Sequence, residues 1–420
     1  MQVDRLASDA HHVDTVKTPM RRFLHCLAWL ATAPVGAATI TVTTTDDLVA
    51  ANGVCSLREA VTAANTDSAF GGCPAGSGAD VIVLAAAEYR IDLAGAGDDA
   101  NASGDFDLRS DVTVQGAGAD LTRIRGDRED RVFDVGTGIP EVPVLARFIG
   151  LTIRNGDAEV GGAIYVGPGA GLVVEACSIV NSAAVTGGGI ASFGGLEVSA
   201  SAFHANAATS GGAIWSGGSG TTVLRNVTFD ANTSTLSGSA AHFEAPATLN
   251  NVTMSQNIAD SDIDDVGDGA IAAFAAVTLA NSIVARNIDL SLGGSSQINP
   301  DCLVGPGGSL ASGGHNLVGN IGSVCALGGG GAGDQVGTPV LSINPRLQPF
   351  AVYGGTVETA PPLPNSPAID AGSPASVGLP GACEATDARG IVRPQGARCD
   401  IGAAELDDLL FRDGFELPLP

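Results

Sequence analysis

The densest group of possible metal ligands in this sequence is a run of aspartates near its middle. The run consists of Asp260, Asp262, Asp264, Asp265 and Asp268. Carboxylate oxygens are hard ligands of the kind that calcium prefers in proteins. The run is therefore a candidate calcium site, and the alternative interpretation is an acidic loop exposed to solvent.

The spacing of these aspartates matches an EF-hand loop only at its start. That loop has glycine at its sixth position and a bidentate glutamate at its twelfth. Here Asp265 stands at the glycine position and Ile271 at the glutamate position. A second acidic patch lies nearer the amino terminus, where turn formation explains the aspartates as well as a metal does. Its members are Asp98, Asp99, Asp105, Asp107 and Asp111.

Catalysis would need acids and a base that converge on one surface, as in enzymes that cleave acidic polysaccharides. His204, His242 and His315 do not stand beside a carboxylate in a recognisable motif, and we interpret them as surface or turn residues. The arginines near strand positions form no evident clamp with the aspartates; they are Arg154, Arg225 and Arg286. The sequence therefore predicts no catalytic residue and no cofactor other than the candidate calcium ion.

The cysteines indicate an oxidising compartment, where disulfides persist. Six of them form neighbouring pairs towards the chain ends: Cys55 with Cys73, Cys302 with Cys325, and Cys383 with Cys399. Sequence alone does not prove this connectivity. Cys177 is left over and stands in register with apolar residues, so we predict a buried free thiol; the alternative is a reactive or intermolecular cysteine.

The elements that position these residues repeat along the chain. An apolar–hydroxyl–apolar motif, as in Val227-Thr228-Phe229, is followed by asparagine two or three residues later. That asparagine recurs after 26, 25, 26, 25 and then 30 residues, at Asn155, Asn181, Asn206, Asn232, Asn257 and Asn287. Glycine-rich turns separate the copies. A fixed period of this size, with strand-like alternation, predicts a solenoid of β-strands.

The fold class that we predict is all-β: a right-handed parallel β-helix with two or three short strands in each coil. Val227 and Phe229 would face the interior and Thr228 the outside. The asparagines would stack as a hydrogen-bonded ladder. The asparagine shifts by one residue relative to the apolar pair after the second copy, so a single unbroken ladder is not assured.

Both ends of such a solenoid need covers. Ser56 and Glu59 have the spacing of a helix capping box, and Leu57, Ala60, Val61 and Ala64 fall on one face of the helix that would follow. Beyond about Leu327 the repeat gives way to proline-rich irregular sequence. We predict an amino-terminal cap over 39–79, a β-helix over 80–326, a disulfide-tied closing module over 327–406 and a tail over 407–420.

Several motifs resemble a known family. Cys55-Ser56-Leu57-Arg58-Glu59-Ala60 resembles the CSLREA motif of bacterial β-helix repeat proteins, and the repeats are similar to those of polymorphic outer-membrane proteins. Ser366–Gly372 and Cys399–Ala403 resemble the choice-of-anchor module that closes such proteins. Tyr353 replaces the usual asparagine before the Gly354-Gly355 pair, and Ala360 lies where a histidine is expected. The resemblance implies a right-handed parallel β-helix, export and a surface or extracellular role, without a catalytic mechanism.

The amino terminus has the order of parts found in a signal peptide. Basic Met20-Arg21-Arg22 precedes a mostly apolar run over 23–33, and small residues follow up to Ala38. We therefore assign 1–38 to an upstream segment and signal peptide. No later apolar run is long enough to span a bilayer. The net charge of −25 and pI near 4.3 argue against nucleic acid as a partner.

We therefore expect a secreted or cell-surface protein with a binding, adhesion or structural role. Its partner would be a surface glycan or another protein. The alternative is a polysaccharide lyase or glycoside hydrolase that acts on acidic glycans along the β-helix face.

Overall fold

The computed structural model describes residues 36–139, 142–264, 269–291, 300–322, 325–328 and 330–407. The described residues belong to one compact unit that begins at Gly36. Most of the predicted signal peptide, the tail from 408 onwards, Asp265 and Asp268 lie outside the described residues.

The chain winds as a parallel β-helix, as predicted. Successive coils contribute strands to four parallel sheets, numbered here in the order in which a central coil visits them. The strands of sheet 1 are Thr39–Thr41, Asp80–Val83, Val112–Gln115, Leu145–Ile149, Gly171–Glu175, Gly195–Ser199, Thr222–Arg225, Ala247–Asn250, Ala276–Ala280, Ser309–Gly314 and Leu327–Gly328. Those of sheet 2 are Glu88–Arg90, Arg123–Arg125, Thr152–Arg154, Ser178–Val180, Ala202–His204, Thr228–Asp230, Thr253–Ser255, Ile283–Val284, Leu317–Val318 and Gln335–Val336.

The two remaining parallel sheets complete the coils. The strands of sheet 3 are Asp157–Val160, Ala183–Thr186, Ala207–Ser210, Thr233–Ser237, Ile258–Ala259 and Ile288–Asp289. Those of sheet 4 are Phe106–Leu108, Phe133–Val135, Ile164–Val166, Ile190–Ser192, Ile214–Ser216, Ala241–Phe243, Ile271–Ala273 and Cys302–Val304. The parallel strands therefore extend on both sides of the predicted range 80–326.

The central coils contain four strands rather than the two or three predicted. The additional strands form sheet 3, in which Ala183–Thr186 is typical. Its alanine, valine and threonine side chains are all partly or fully exposed, so no alternation of buried apolar and exposed polar residues marks the segment as a strand. Sequence periodicity therefore cannot distinguish it from a turn, and the backbone bonds to the neighbouring coils make it a strand.

The interior is built from columns of like residues in register. In sheet 2, Phe203 pairs with Phe229 and Phe229 with Met254. The rings of Phe203 and Phe229 stack with centroids 4.9 Å apart. Val227 and Phe229 are fully buried, as predicted. Burial of one such aromatic or aliphatic side chain stabilises the fold by about 1.5–3 kcal/mol, and the columns repeat this gain in each coil.

Left-handed backbone conformations turn the chain at its corners. At the corner between sheets 3 and 4, the residue with the left-handed conformation is a glycine whose φ lies between +64° and +68°. These glycines are Gly161, Gly187, Gly211, Gly238 and Gly269. At Gly187 a Cβ would lie 2.4 Å from the carbonyl oxygen of Ile190. Glycine is therefore needed here for both its φ and its lack of a side chain.

The asparagine ladder exists, with the expected shift. Asn206 Nδ2 donates to Asn232 Oδ1 at 3.0 Å, and Asn232 Nδ2 donates to Asn257 Oδ1 at 2.9 Å. The ladder continues through Asn287 to Asp301. Asn155 and Asn181 form a hydrogen bond with each other at a position one residue earlier in the coil than that of Asn206, and both have a positive φ.

Helix α1 (Leu57–Thr66) follows the predicted capping box. The Ser56 hydroxyl accepts the Glu59 N–H, and the Glu59 carboxylate accepts the Ser56 N–H. The buried Arg58 side chain bonds Asp47 and the carbonyls of Gly104 and Asp105, which ties the helix to the first coils. The predicted apolar face is buried.

The structure pairs the six cysteines as predicted and leaves Cys177 as a buried free thiol. Burial raises the pKa of Cys177 to about 12. A buried thiol with this pKa is inert at neutral pH, which disfavours the reactive alternative. In the described part of the chain, no helix is long and apolar enough to cross a membrane.

The irregular carboxy-terminal segment, here called the carboxy-terminal module (344–407), packs along the outer side of sheet 2. It contains the antiparallel pair Ala351–Val352 and Glu358–Thr359. Thr359 Oγ1 lies 2.8 Å from Thr228 Oγ1. Thr228 therefore points out of the coil as predicted, but the module buries it. Because this covering segment is distant in sequence, the local pattern around Thr228 does not reveal it.

Candidate functional site

The candidate calcium residues lie at the corner between sheets 3 and 4. Asp260 directly follows the strand Ile258–Ala259 and is fully buried, whereas Asp262 and Asp264 are exposed. One carboxylate oxygen from each lies within 4.8 Å of the others. The structure therefore brings together the three described members of the predicted set, while Asp265 and Asp268 lie outside the described residues.

The second acidic patch separates into turn-forming and buried residues. Asp98 accepts the backbone N–H groups of Ala102 and Ser103, which is the turn role expected from the sequence. Asp111 accepts the Leu145 N–H at 2.8 Å. Asp105 and Asp107 are buried in and beside the first strand of sheet 4.

Arg109 occupies the centre of the buried part of this patch. Its guanidinium lies 2.5 Å from Asp107 Oδ1 and 2.5 Å from Asp134 Oδ1, and 3.4 Å from Asp99. Asp134 is the register partner of Asp107 in the next coil, which is why sequence spacing missed it. Asp99, Asp107 and Asp134 are close enough to hold a metal, but Arg109 already supplies the positive charge between them.

The buried carboxylates of this patch have perturbed acidities. Burial, together with the nearby Asp130 and Asp107 carboxylates, raises the pKa of Asp105 to about 8, against the opposing effect of Arg131. Burial also raises the pKa of Asp107 to about 6, although Arg109 opposes the rise. Asp105 Oδ2 has no hydrogen-bond partner and lies 3.6 Å from Arg131 Nη1.

A row of rings runs along the outer side of sheet 4, and we call it the aromatic face. It consists of Tyr165, Phe193, Trp215, His242 and Phe274. Tyr165 and Phe193 have centroids 5.7 Å apart, Phe193 and Trp215 4.8 Å, and His242 and Phe274 4.8 Å. Trp215 and His242 are register partners in adjacent coils. The row exists because outward positions of successive coils stack.

A charged cleft lies at the end of the aromatic face. Its volume is about 240 Å³, and Asp99, Arg109, Asp134 and Tyr165 line it together with the turn after Val135. The Arg131 guanidinium lies over the Tyr165 ring, 5.4 Å from the centroid. The cleft therefore combines an aromatic wall with carboxylate and guanidinium groups.

A second cleft, of about 790 Å³, lies between sheet 2 and the carboxy-terminal module. His204 Nδ1 is 3.1 Å from Asp230 Oδ2, and the His204 ring stacks on Phe350 with centroids 4.9 Å apart. The hydrogen bond to Asp230 raises the pKa of His204, partial burial opposes the rise, and Glu358 adds to it. No local motif reveals this carboxylate partner, because Asp230 is the register partner of His204 one coil later. His204 is a half-buried strand residue and not the surface or turn residue that the sequence suggested.

The other histidines, Arg225 and the backbone of Arg286 also have partners that the sequence did not reveal. His242 lies between Ser237 and Glu244, and His315 Nδ1 is 2.9 Å from the Ala371 carbonyl oxygen. Arg225 Nη1 bonds Glu197 at 2.5 Å. Arg286 accepts the Gln256 N–H through its backbone carbonyl, and Arg154 has a buried Nε atom without a partner.

Residues from adjacent coils therefore form the Arg109 group, the His204–Asp230 pair and the aromatic face, whereas the three aspartates of the candidate calcium site belong to one turn. Comparisons of this chain with protein-family models, curated proteins and solved structures found no match.

Proposed function

We propose that this chain is an exported glycan-binding protein of the cell surface or the surrounding medium. We further propose that the partly exposed rings of the aromatic face, Tyr165, Phe193 and Phe274, form its docking surface, with the buried Trp215 and His242 rings between them. The observation that carries the proposal is the row of rings that ends at the charged cleft. Sugar rings present apolar C–H faces and a rim of hydroxyl groups. Aromatic rings bind the former by dispersion, and carboxylate and guanidinium groups bind the latter.

Export is supported by two features. Three disulfides fit an oxidising compartment, and the amino-terminal sequence has the pattern of a signal peptide. The resemblance to CSLREA-type β-helix proteins with a choice-of-anchor module belongs to the same proposal, since it implies a surface or extracellular location.

Glycan-array and whole-cell binding test the proposal. The Tyr165→Ala variant removes the ring that joins the aromatic face to the charged cleft, and we expect it to weaken glycan binding about tenfold, as for the loss of an aromatic contact worth about 1–1.5 kcal/mol. Tyr353→Ala removes a tyrosine of the carboxy-terminal module and serves as the matched control. Equal binding by wild type and Tyr165→Ala, or no binding across a broad panel, contradicts the proposal.

A second candidate function is cleavage of acidic polysaccharides in the cleft beside the carboxy-terminal module. The specific observation is that the Asp230 carboxylate faces His204, near Glu358, in that cleft. Two carboxylates and a histidine can serve as acid and base. Depolymerisation of pectin and alginate, assayed with and without calcium, tests this candidate. Activity that Asp230→Asn abolishes would favour the enzyme over the binding protein.

A further inference from the structure

We propose that Asp260, Asp262 and Asp264 together bind one calcium ion. The residues begin the turn that leads from the sheet 3 strand Ile258–Ala259 to the sheet 4 strand Ile271–Ala273. A carboxylate oxygen from each lies within 4.8 Å of the other two. The proposal does not depend on glycan binding, because it rests on a different group of residues and a different observation.

The observation that points to a cation is the environment of the Asp260 carboxylate. The residue is fully buried. Its Oδ1 atom accepts the Asp264 N–H at 3.1 Å, whereas Oδ2 is shielded from solvent and has no hydrogen-bond partner. A buried carboxylate oxygen without compensation is costly, and a bound cation removes that cost. The buried oxygen belongs to the same carboxylate that approaches those of Asp262 and Asp264.

The ligand chemistry favours calcium over other cations. All three groups offer carboxylate oxygens, which are the hard ligands that calcium prefers, and none offers the nitrogen or sulfur that zinc prefers. Calcium–oxygen distances of about 2.3–2.6 Å place two ligands of one ion at most about 5 Å apart. The observed separations fall within that limit. Asp262 and Asp264 are exposed, so water can reach the ion and complete the six to eight ligands that calcium takes.

In the other close group of aspartates, which includes Asp107 and Asp134, an arginine balances the negative charge without a metal. Asp107 and Asp134 both bond Arg109 at 2.5 Å. Their charges are therefore balanced by a side chain of the protein itself. At Asp260 the buried Oδ2 atom has no such hydrogen-bonding partner, which is why the proposal applies to this group and not to the other.

Isothermal titration of the purified chain with calcium chloride, after removal of metals with a chelator, tests the site. We expect one ion per chain with a Kd of about 10⁻⁴ to 10⁻³ M, the range of extracellular calcium modules. The double variant Asp262→Asn, Asp264→Asn removes two exposed ligand charges and should weaken binding at least about tenfold. Asp157→Asn, an exposed aspartate of sheet 3 in an earlier coil, should bind as the wild type does.

Asp260→Asn tests the buried ligand separately through the melting temperature. Calcium should raise the melting temperature of the wild type, because a ligand that binds only the folded state stabilises it. Asp260→Asn should lose this rise, and without calcium it should melt at or above the wild-type temperature, since the uncompensated charge is gone.

Three results would overturn the proposal. One is the absence of saturable heat in the wild type up to about 10 mM calcium, a concentration above the expected Kd. Another is unchanged affinity in the Asp262→Asn, Asp264→Asn variant, or a preserved calcium response in Asp260→Asn. The third is magnesium affinity equal to or above that for calcium. None of these measurements depends on glycan binding, so failure here is distinguishable from failure of the proposed function.

Discussion

Asp105 lies among the first coils with Asp130, Asp107 and Asp134 around it, and Arg131 Nη1 is the nearest cation at 3.6 Å. Its pKa rises to about 8 in the folded protein, against about 3.9 in an unfolded chain. Between those pH values the folded protein holds a proton that the unfolded chain releases. The contribution of Asp105 to stability therefore falls as the pH rises from about 4 to about 8.

Asp105→Asn keeps the shape of the side chain and removes its titration. We expect the variant to lose less stability than the wild type between pH 5 and pH 8, by at most about 1.4 kcal/mol per pH unit. Urea unfolding, followed by circular dichroism at several pH values in this window, measures the difference. Asp157→Asn, an exposed control, should follow the wild type. Parallel profiles for wild type and Asp105→Asn would contradict the raised pKa.

Single residues illustrate what sequence reasoning can detect. Cys177 is predictably buried because it occupies an apolar position of the repeat. The pairing of His204 with Asp230 depends on strand register across coils. The two residues stand 26 apart, which is one period, so alignment of the repeats could have revealed the pair. The carboxylate–arginine arrangement at Arg109 joins Asp107 to Asp134 in the same way.

At the scale of elements, the asparagine ladder holds the corner between sheets 2 and 3. Asn232 is fully buried and bonds three neighbours: it accepts from the Asn206 side chain and donates to Asn257 Oδ1 and to the Phe203 carbonyl. Asn232→Ala would leave these groups buried without partners. We expect a loss of about 2–4 kcal/mol in the free energy of unfolding.

Equilibrium urea unfolding measures this loss. Thr235→Ala, a partly exposed position on the following strand of sheet 3, is the control and should change stability by less than about 0.5 kcal/mol. A similarly small effect of Asn232→Ala would show that the hydrogen bonds of the ladder do not contribute to the free energy of unfolding.

The elements also show where prediction from sequence succeeded and why it stopped. The capping box and the apolar columns depend on local spacing, and both were predicted. Sheet 3 was missed because Ala183–Thr186 has no apolar alternation, and its strand character comes from bonds to other coils. The position of the carboxy-terminal module along sheet 2 was missed for a related reason, since its contacts join residues more than a hundred positions apart.

At the scale of the whole molecule, two long sides of the β-helix have different surroundings. The carboxy-terminal module packs along sheet 2 through Thr359, Thr386 and Ala403. The aromatic face on sheet 4 includes partly exposed rings at Tyr165, Phe193 and Phe274. The side at sheet 2 therefore packs against the chain's own carboxy-terminal module, and the side at sheet 4 is the one on which we propose that an external partner binds.

A buried ion pair lies inside the carboxy-terminal module. Glu405 Oε1 accepts from the Arg393 guanidinium and from the Asp400 N–H, and both side chains of the pair are about 1% exposed. Arg393 also bonds the Gly402 carbonyl. Glu405→Ala would leave the guanidinium buried without its counter-charge, which costs about 3–5 kcal/mol.

We expect this cost to loosen the module and spare the coils, because the module packs through a small apolar cluster that is separate from the main core. In this cluster Ala368 and Ile401 of the module lie with Ile283 and Leu317 of sheet 2. Hydrogen exchange measured by mass spectrometry should show faster exchange in peptides from 344–407 and unchanged exchange in the central strands of sheet 1. Arg147→Ala, which breaks an exposed pair with Glu175, should leave both regions unchanged. Faster exchange throughout the coils of Glu405→Ala would mean that the module and the β-helix unfold as one cooperative unit.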